Sequence, residues 1–205
     1  MQLSQARRCA DYVLWIGTDA IYVWNKKEGK QDRIPFSPPE EIPYVPNFHT
    51  LWEDTKAREV PYMTALTRLL GGRLRAKMSC ILLAAPDDIT WIERRALEDF
   101  ALMAGAGAVN KRLFFCPQSV ALRPPEEQFL AITWSCRCFT LCLVREGAVE
   151  KTYWLPLSQT SREALHSAVK RLESLPVYYP QIEPAPFPLD IGTGRSLGQL
   201  AALDG

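Results

Sequence analysis

The apolar and polar positions of the chain alternate in a way that predicts several short strands and helices. Residues 12–24 form two apolar runs around a Gly-Thr-Asp turn, which predicts a β-hairpin. Residues 78–85 and 112–116 are short, continuously apolar runs, as expected of strands buried on both faces. Between them, apolar residues recur every three or four positions, so this region predicts a strand, a helix and a second strand.

The helix in that unit has recognisable start and stop signals. Thr90 followed by Glu93 is a capping box, in which each side chain satisfies a backbone amide near the other residue. Gly105 supplies a left-handed stop. The periodic apolar residues predict a packing face that begins at Ile92, continues through Phe100 and ends at Met103 or Ala104.

The remaining pattern predicts fewer regular elements. Residues 25–61 are polar and rich in proline, so we expect a long loop or a reduced subdomain there. Apolar spacing predicts a helix over residues 61–70, a second hairpin within residues 129–157, a helix from Ser161, a short strand at residues 176–179 and a final helix through Leu203.

Composition narrows the class of protein. The 205 residues, of which 47% are hydrophobic, are enough for a substantial core. The 24 Lys and Arg nearly balance the 23 Asp and Glu, so no global field draws the chain to nucleic acid. No apolar run reaches the roughly 20 residues of a membrane-spanning helix, and the N-terminal residues lack the apolar core of a secretory signal. These features predict a cytoplasmic protein and leave a place in a peripheral membrane complex open.

The cysteines are predicted to be buried in strands. Cys136, Cys138 and Cys142 alternate with other side chains as strand residues do, although the same spacing leaves a metal or redox site as a competing hypothesis. The two histidines, His49 and His166, show no spacing that suggests a nucleophile and base pair.

One stretch of the sequence resembles a known family. A strand, a proline, the segment TWIERRALEDFALMAGAG and a second strand ending before Pro117 are similar to the actin-like ATPase superfamily, most of all to the bacterial cell-shape protein MreB. The matching positions are Ala85, Pro86, Thr90, Glu93, Arg94, Arg95, Ala96, Ala104, Gly105, Ala106 and Pro117. The resemblance implies an α/β fold with an actin-like (ribonuclease H-like) mixed sheet, flanking helices and a reduced second lobe. It also implies a first lobe over residues 1–128 with a Pro-rich insertion near residues 30–60. A reduced second-lobe hairpin and helix are expected over residues 129–175, and a closing segment over residues 176–205 that returns to the first lobe.

The phosphate-binding chemistry of that family is altered in this chain. Trp15 stands where the family has an aspartate that orders magnesium, although Gly17 and Thr18 of the turn persist. Residues 132–137 replace the glycine run of the second phosphate loop, and Cys116 replaces the carboxylate before the proline. Indole and a buried thiol do not supply metal ligation or base catalysis. The resemblance therefore implies a protein with no catalytic residues, bound cofactor or metal. Asp19 or Asp190 could restore a metal site, or each could simply cap a turn.

The closing glycine turn and the aromatic residues are the remaining candidates for function. Gly192 and Gly194 lie in a DIGTG turn that could bind an anion at a helix N-terminus or only reverse the chain. Because exposed aromatic residues and arginine often anchor interfaces, the expected protein-contact residues are Trp15, Trp134, Arg137, Tyr44, Phe48 and Trp52.

These features together predict a catalytically inactive actin-like scaffold or adaptor in a bacterial cell-shape, division, pilus or secretion assembly. The competing hypotheses are a nucleotide-binding actin-like filament protein and a cysteine-rich metal or redox protein. The sequence leaves self-association open.

Overall fold

The structure is a computed structural model, and it describes residues 10–37, 44–53, 61–122, 124–172 and 175–201 of the chain. The strands of this part are β1 (Tyr12–Ile16), β2 (Ala20–Asn25), β3 (Lys30–Pro35), β4 (Ile81–Ala85), β5 (Leu113–Pro117), β6 (Gln128–Trp134), β7 (Cys138–Arg145), β8 (Ala148–Pro156), β9 (Val177–Pro180) and β10 (Thr193–Arg195). Its helices are α1 (Thr50–Glu53), α2 (Pro61–Leu69), α3 (Arg73–Met78), α4 (Trp91–Met103), α5 (Gln118–Ala121), α6 (Arg162–Leu172) and α7 (Leu197–Ala201). Short 3-10 turns cover Asn47–His49, Val109–Lys111 and Leu157–Gln159.

The strands form two five-stranded mixed sheets with the same topology. The order is β3-β2-β1-β4-β5 in the first sheet and β8-β7-β6-β9-β10 in the second. Each sheet starts with three consecutive antiparallel strands, and two further strands then run parallel to the first of these. The predicted mixed α/β architecture with flanking helices is confirmed.

Three apolar clusters stack the molecule in layers. Alternate residues of β1 point to opposite faces, so Leu14 packs against α2 and α4 while Trp15 packs between the two sheets. The layer between the sheets also holds α5 and α7, and it includes Phe129 of β6. A third cluster, which includes Leu165, joins the outer face of the second sheet to α6. The two sheets therefore share one central core.

The predicted helix at residue 90 is confirmed, but its buried face differs from the prediction. Both halves of the capping box between Thr90 and Glu93 are present. Leu97 and Phe100 are buried, whereas Ile92 is exposed and Glu93 is buried. The buried side of α4 thus begins with a carboxylate, because that side faces polar groups of the second sheet.

Two elements of the first half depart from the expected pattern. The predicted loop over residues 25–61 contains strand β3, which pairs with β2 and buries Ile34 as its one fully enclosed residue. The predicted strand from Met78 begins at Ile81, because Met78 still belongs to helix α3. Both elements lack the apolar spacing on which the prediction depended.

The second half also differs in detail from the prediction. The apolar run over residues 129–144 is two strands, β6 and β7, joined by a turn at residues 135–137. The closing segment, which was expected to return to the first lobe, adds β9 and β10 to the second sheet and contacts the first sheet through Ile182, Glu183 and α7. The second sheet has five strands, and α6 covers its outer face in the described part of the chain. No described helix is long and apolar enough to cross a bilayer.

Candidate functional site

The candidate site lies where the β1–β2 turn and the β6–β7 turn face the loops of the opposite sheet. A backbone hydrogen bond from Gly17 to the carbonyl of Ala20 (2.9 Å) closes the first turn. The equivalent bond from Ser135 to Cys138 (3.0 Å) closes the second. These turns match the two phosphate loops that the sequence resemblance implies, so the groups bound to them decide what the site can do.

A carboxylate of the protein itself occupies the first turn. Glu183, from the loop after β9, accepts hydrogen bonds from the backbone N–H of Thr18 (2.6 Å) and from its hydroxyl (2.9 Å). The indole N–H of Trp15 donates to the other oxygen of the same carboxylate at 3.0 Å. Gly17 has to be glycine here, because a Cβ at this position would lie 3.0 Å from Glu183 Oε2 and 2.9 Å from the ring of Tyr22.

The surroundings of Glu183 disfavour its charged form. Burial raises the pKa of Glu183 to about 7, although the hydrogen bonds from Thr18 and Trp15 partly offset this effect and Asp19 adds to it. Within the described ranges, no lysine or arginine nitrogen lies within 4.0 Å of this carboxylate. Dipoles rather than a cation therefore hold it in the turn.

Two carboxylates, one from the loop after β4 and one from α4, hold the second turn. Asp88, in the loop after β4, accepts a hydrogen bond from the hydroxyl of Ser135 (2.6 Å), and that hydroxyl oxygen accepts one from the backbone N–H of Arg137 (2.9 Å). The guanidinium of Arg137 binds both oxygens of Glu93, with Nη2 to Oε1 at 2.5 Å and Nη1 to Oε2 at 3.2 Å. This is a bidentate ion pair of the kind that combines strength with fixed geometry.

Glu93 is the most connected carboxylate of the site. Besides Arg137, it accepts hydrogen bonds from the backbone N–H of Thr90 (2.7 Å) and the hydroxyl of Thr90 (3.0 Å), and it contacts Nε2 of His49 at 2.7 Å. Burial alone would raise the pKa of Glu93, but the bonds from Arg137, Thr90 and His49 outweigh it and lower the pKa to about 2. Arg137 and Glu93 together form an internally neutral unit.

The remaining contacts join the turns and enclose a fourth acid, Asp87. The side-chain amide of Asn47 donates to the carbonyl of Thr18 at 2.9 Å, and Arg137 Nε donates to the carbonyl of Tyr44 at 3.1 Å. Residues 44–49 thus connect the two turns.

Asp87 accepts hydrogen bonds from the backbone N–H of Ser119 (2.9 Å) and the Thr133 hydroxyl (2.8 Å), and burial raises its pKa.

The cysteines of β7 are protonated thiols at neutral pH. Burial raises the pKa of Cys138 to about 11 and that of Cys142 to about 12, and the nearby Asp88 and Asp87, respectively, contribute. Each thiol lies 3.7 Å from its aspartate. Because the thiolate is the form that attacks and binds metals, these groups are poorly suited to redox or metal chemistry. In the described ranges, no group of three or more His, Cys, Asp or Glu side chains could hold a metal ion.

The structure places the predicted contact residues in very different environments. Trp15 is 0% exposed, and Trp134 and Phe48 are each 2% exposed, so their prediction as partner contacts is wrong. Their indole and phenyl rings complete the core instead. Arg137 is mostly engaged by Glu93, and Tyr44 is exposed. The side chain of Trp52 lies outside the described part of the chain.

The glycine turn of the closing segment has a packing role. A Cβ on Gly192, which has a φ of +90°, would lie 2.4 Å from the carbonyl of Val177. Gly194 belongs to β10 and pairs with β9. This close approach favours the simple turn over an anion site.

Sequence reasoning did not identify Glu183 or Asp88 as site residues. Glu183 lies in a Pro-rich segment and bonds to a residue 165 positions away, so no local pattern marks it. Asp88 follows an apolar strand at the start of the same loop that carries the capping box. The available signal for Asp88 was its position shortly after a buried strand, because the loops at the ends of such strands face the adjoining turns.

Comparison with solved structures finds several proteins to which the chain is similar. The chain is similar to MreB5 of Spiroplasma citri bound to AMPPNP (15% identity over 71% of this chain and 52% of that chain, TM-score 0.46). It is also similar to the ethanolamine utilization protein EutJ from Carboxydothermus hydrogenoformans (11% identity, 82% and 75% covered, TM-score 0.46). A third is AlfA from the B. subtilis plasmid pLS32 in its filament structure (7% identity, 82% and 82% covered, TM-score 0.48).

These neighbours have the actin-like ATPase fold, which is the fold that the sequence resemblance implies. The chain spans about half the length of the MreB5 chain that it matches. No family model and no curated protein matches the sequence. At these identities the likeness concerns fold alone, and what the site does has to be argued from its own contacts.

Proposed function

We propose that this protein is a catalytically inactive actin-like protein that works as a scaffold or adaptor through protein contacts. Its setting would be the cytoplasm, in a bacterial cell-shape, division, pilus or secretion assembly. The observation that carries this proposal is the position of the Glu183 carboxylate in the first turn.

The Glu183 carboxylate uses the donors that a phosphate group would need. Backbone N–H groups in a tight turn are the usual ligands of a nucleotide phosphate. Here the N–H and hydroxyl of Thr18 and the indole of Trp15 already bind a carboxylate that is 7% exposed. A phosphate would have to displace this carboxylate and, at neutral pH and above, would also meet its negative charge.

The second turn supports the same conclusion. Its cation, Arg137, already forms a bidentate pair with Glu93, and Asp88 binds the Ser135 hydroxyl. A phosphate that bound at this turn would have to displace Asp88 or Glu93, as it would have to displace Glu183 at the first turn. The two sheets are thereby joined by contacts of the protein with itself, which suits a rigid contact platform better than a nucleotide-driven cycle.

Isothermal titration with ATP and MgCl2 tests this proposal directly. The expected result is no measurable heat of binding up to about 1 mM ATP, together with no phosphate release above a protein-free control. Magnesium-dependent binding at micromolar concentration would overturn the proposal. If ATP also made the protein sediment as polymer, the nucleotide-dependent filament hypothesis would replace it.

A matched variant makes the titration more informative. Glu183→Ala removes the carboxylate and leaves the Thr18 donors in place, whereas Glu150→Ala removes an exposed glutamate on β8. If Glu183 blocks the turn, inorganic phosphate should bind only to Glu183→Ala, and Glu150→Ala should behave as the wild type does.

A further inference from the structure

One end of the first sheet carries basic side chains without nearby acids on the same elements. Residues 61–86 and 100–125 contain no Asp or Glu, although the whole chain is balanced at 24 basic and 23 acidic residues. The basic residues of α2, α3 and the turn after α4 are Arg68, Arg73, Arg75, Lys77, Lys111 and Arg112. The positive charge of these elements is therefore not offset by acids on the same elements.

A groove crosses this surface between α2 and the C-terminal end of α4. Its walls are held together by a hydrogen bond from the hydroxyl of Thr67 to the carbonyl of Ala104 (2.8 Å). Met63, Met103 and Ala104 supply apolar surface, and Arg68 and Arg73 also line the groove. Met103 is 58% exposed, so its side chain is available for contact.

The neighbouring helix extends the apolar surface beside the groove. Leu74 of α3 directly follows Arg73 and is 78% exposed, and Met78 lies one turn further along the same helix. Arg75 lies over the ring of Tyr12 at 5.9 Å. Burial raises the pKa of the Tyr12 hydroxyl, and the charges of Glu28 and Asp11 add to this effect. Arg68 and Arg73 form no ion pair with another described residue.

We propose that this groove binds an acidic, amphipathic helix of a partner protein. A helix of this kind places apolar side chains at three- and four-residue spacing into a groove and leaves its other face free. Exposed methionines suit such contacts because their side chains adapt to different shapes. The two arginines favour a partner with Asp or Glu flanking its apolar stripe. The inference depends on the proposed contact function and names its partner class.

A flat lipid surface fits these observations less well. The methionine side chains line a depression between two helices, which a bilayer surface does not enter, whereas a single helix can. Nucleic acid is disfavoured because Arg68 and Arg73 are the only charged side chains among the described residues that line the groove, whereas phosphate backbones are bound through many basic contacts. Anionic vesicles are nevertheless the second arm of the test.

The test uses synthetic peptides and fluorescence anisotropy with the full chain. The probe is a fluorescein-labelled peptide of about 18 residues with Leu at positions i, i+3, i+4 and i+7 and Glu on the opposite face. The matched peptide has Lys in place of each Glu. We expect the acidic peptide to bind with a Kd of about 100 μM or tighter, and at least about tenfold more tightly than the basic one.

Two variants and one control assign the binding to the groove. Met103→Glu and Arg73→Glu should each weaken binding of the acidic peptide by about tenfold, and higher salt should weaken it in the wild type. Tyr153→Glu, on the exposed part of β8 in the second sheet, should leave it unchanged. Circular dichroism melting confirms that the variants are folded.

Three results would overturn the inference. These are equal binding of both peptides, acidic-peptide binding that is unaffected by Met103→Glu and Arg73→Glu, or binding of phosphatidylserine vesicles that only Leu74→Glu abolishes while neither peptide binds. The ATP titration and this peptide titration use different ligands at different surfaces. Failure of the groove proposal is thereby distinguishable from failure of the proposed function.

Discussion

The two sheets have the same topology, yet their turns are held by different physical means. In each sheet, the third residue after the fourth strand, Asp88 or Glu183, binds the hairpin turn of the other sheet. Glu183 is held by dipoles alone and has a raised pKa, whereas Asp88 is accompanied by the ion pair of Arg137 with Glu93, whose pKa is lowered. The same reciprocal arrangement thus contains one carboxylate that burial destabilises and one that a cation stabilises.

The ion pair of Arg137 with Glu93 should show the largest effect on the free energy of unfolding. Glu93→Ala removes the partner of a largely enclosed guanidinium and half of the capping box of α4. Breaking a buried pair from one side costs about 3–5 kcal/mol, because the other charge remains uncompensated. Urea unfolding followed by circular dichroism measures the loss.

The control for this change lies on the same helix. Glu98→Ala removes a carboxylate that pairs with Arg94 and Arg95 on the solvent side of α4. Surface pairs of this kind contribute about 0–1 kcal/mol. Equal losses in the two variants would show that Arg137 and Glu93 do not stabilise the joint between the sheets.

Removal of Glu183 from the first turn should lower the free energy of unfolding by a smaller amount. Glu183→Ala leaves the buried indole N–H of Trp15 and the partly buried N–H of Thr18 without their acceptor, at about 1–3 kcal/mol for a fully buried group and less for Thr18. It also relieves part of the cost of burying a charge. We expect a net loss of about 2–4 kcal/mol, or roughly 4–16 °C in Tm for a chain of this size. Glu183→Gln keeps one acceptor oxygen and should lose less than Glu183→Ala in a thermal melt. A variant Glu183→Ala as stable as the wild type would contradict the described contacts.

The opposite pKa shifts predict opposite responses to pH. Because the folded pKa of Glu183 is raised to about 7 from 4.5, its contribution is fully present below about pH 4.5 and is lost as pH rises through 7. The contribution of Glu93, with a folded pKa of about 2, is present above about pH 4.5 and is lost as pH falls through 2.

Urea titrations at several pH values test the Glu183 part of this comparison. Between pH 5 and 8, the stability of the wild type relative to Glu183→Gln should fall by about 1–3 kcal/mol, since each unit of pKa shift corresponds to about 1.4 kcal/mol. A difference that stays constant with pH would mean that Glu183 titrates normally. Tyr22 and Asp19 adjoin the carboxylate, but the high pKa of Tyr22 keeps it neutral over this range.

The parts of this arrangement that are local in sequence could be predicted, and the parts that join distant segments could not. The first hairpin and the capping box at Thr90 depend on residues a few positions apart, and both are present. Strand β3 was missed because a single buried Ile34 gives no periodic pattern. Trp15 was predicted to lie at a surface because the sequence shows only that it replaces a magnesium-ordering aspartate. The sequence does not show that its indole N–H donates to the distant Glu183.

The smallest expected effect concerns the Ser135 hydroxyl, which donates a hydrogen bond to Asp88. Ser135→Ala removes the donor to Asp88 and the acceptor for the N–H of Arg137, but the bidentate pair of Arg137 with Glu93 stays in place. The net loss should therefore be about 1 kcal/mol, as for a typical intramolecular hydrogen bond. Thr18→Val in the first turn provides the counterpart, since it removes the hydroxyl but leaves the backbone N–H on Glu183. If each turn is held independently, the double variant should lose the sum of the two single losses within about 0.5 kcal/mol. A larger deviation in urea unfolding would mean that the two turns act as one coupled joint between the sheets.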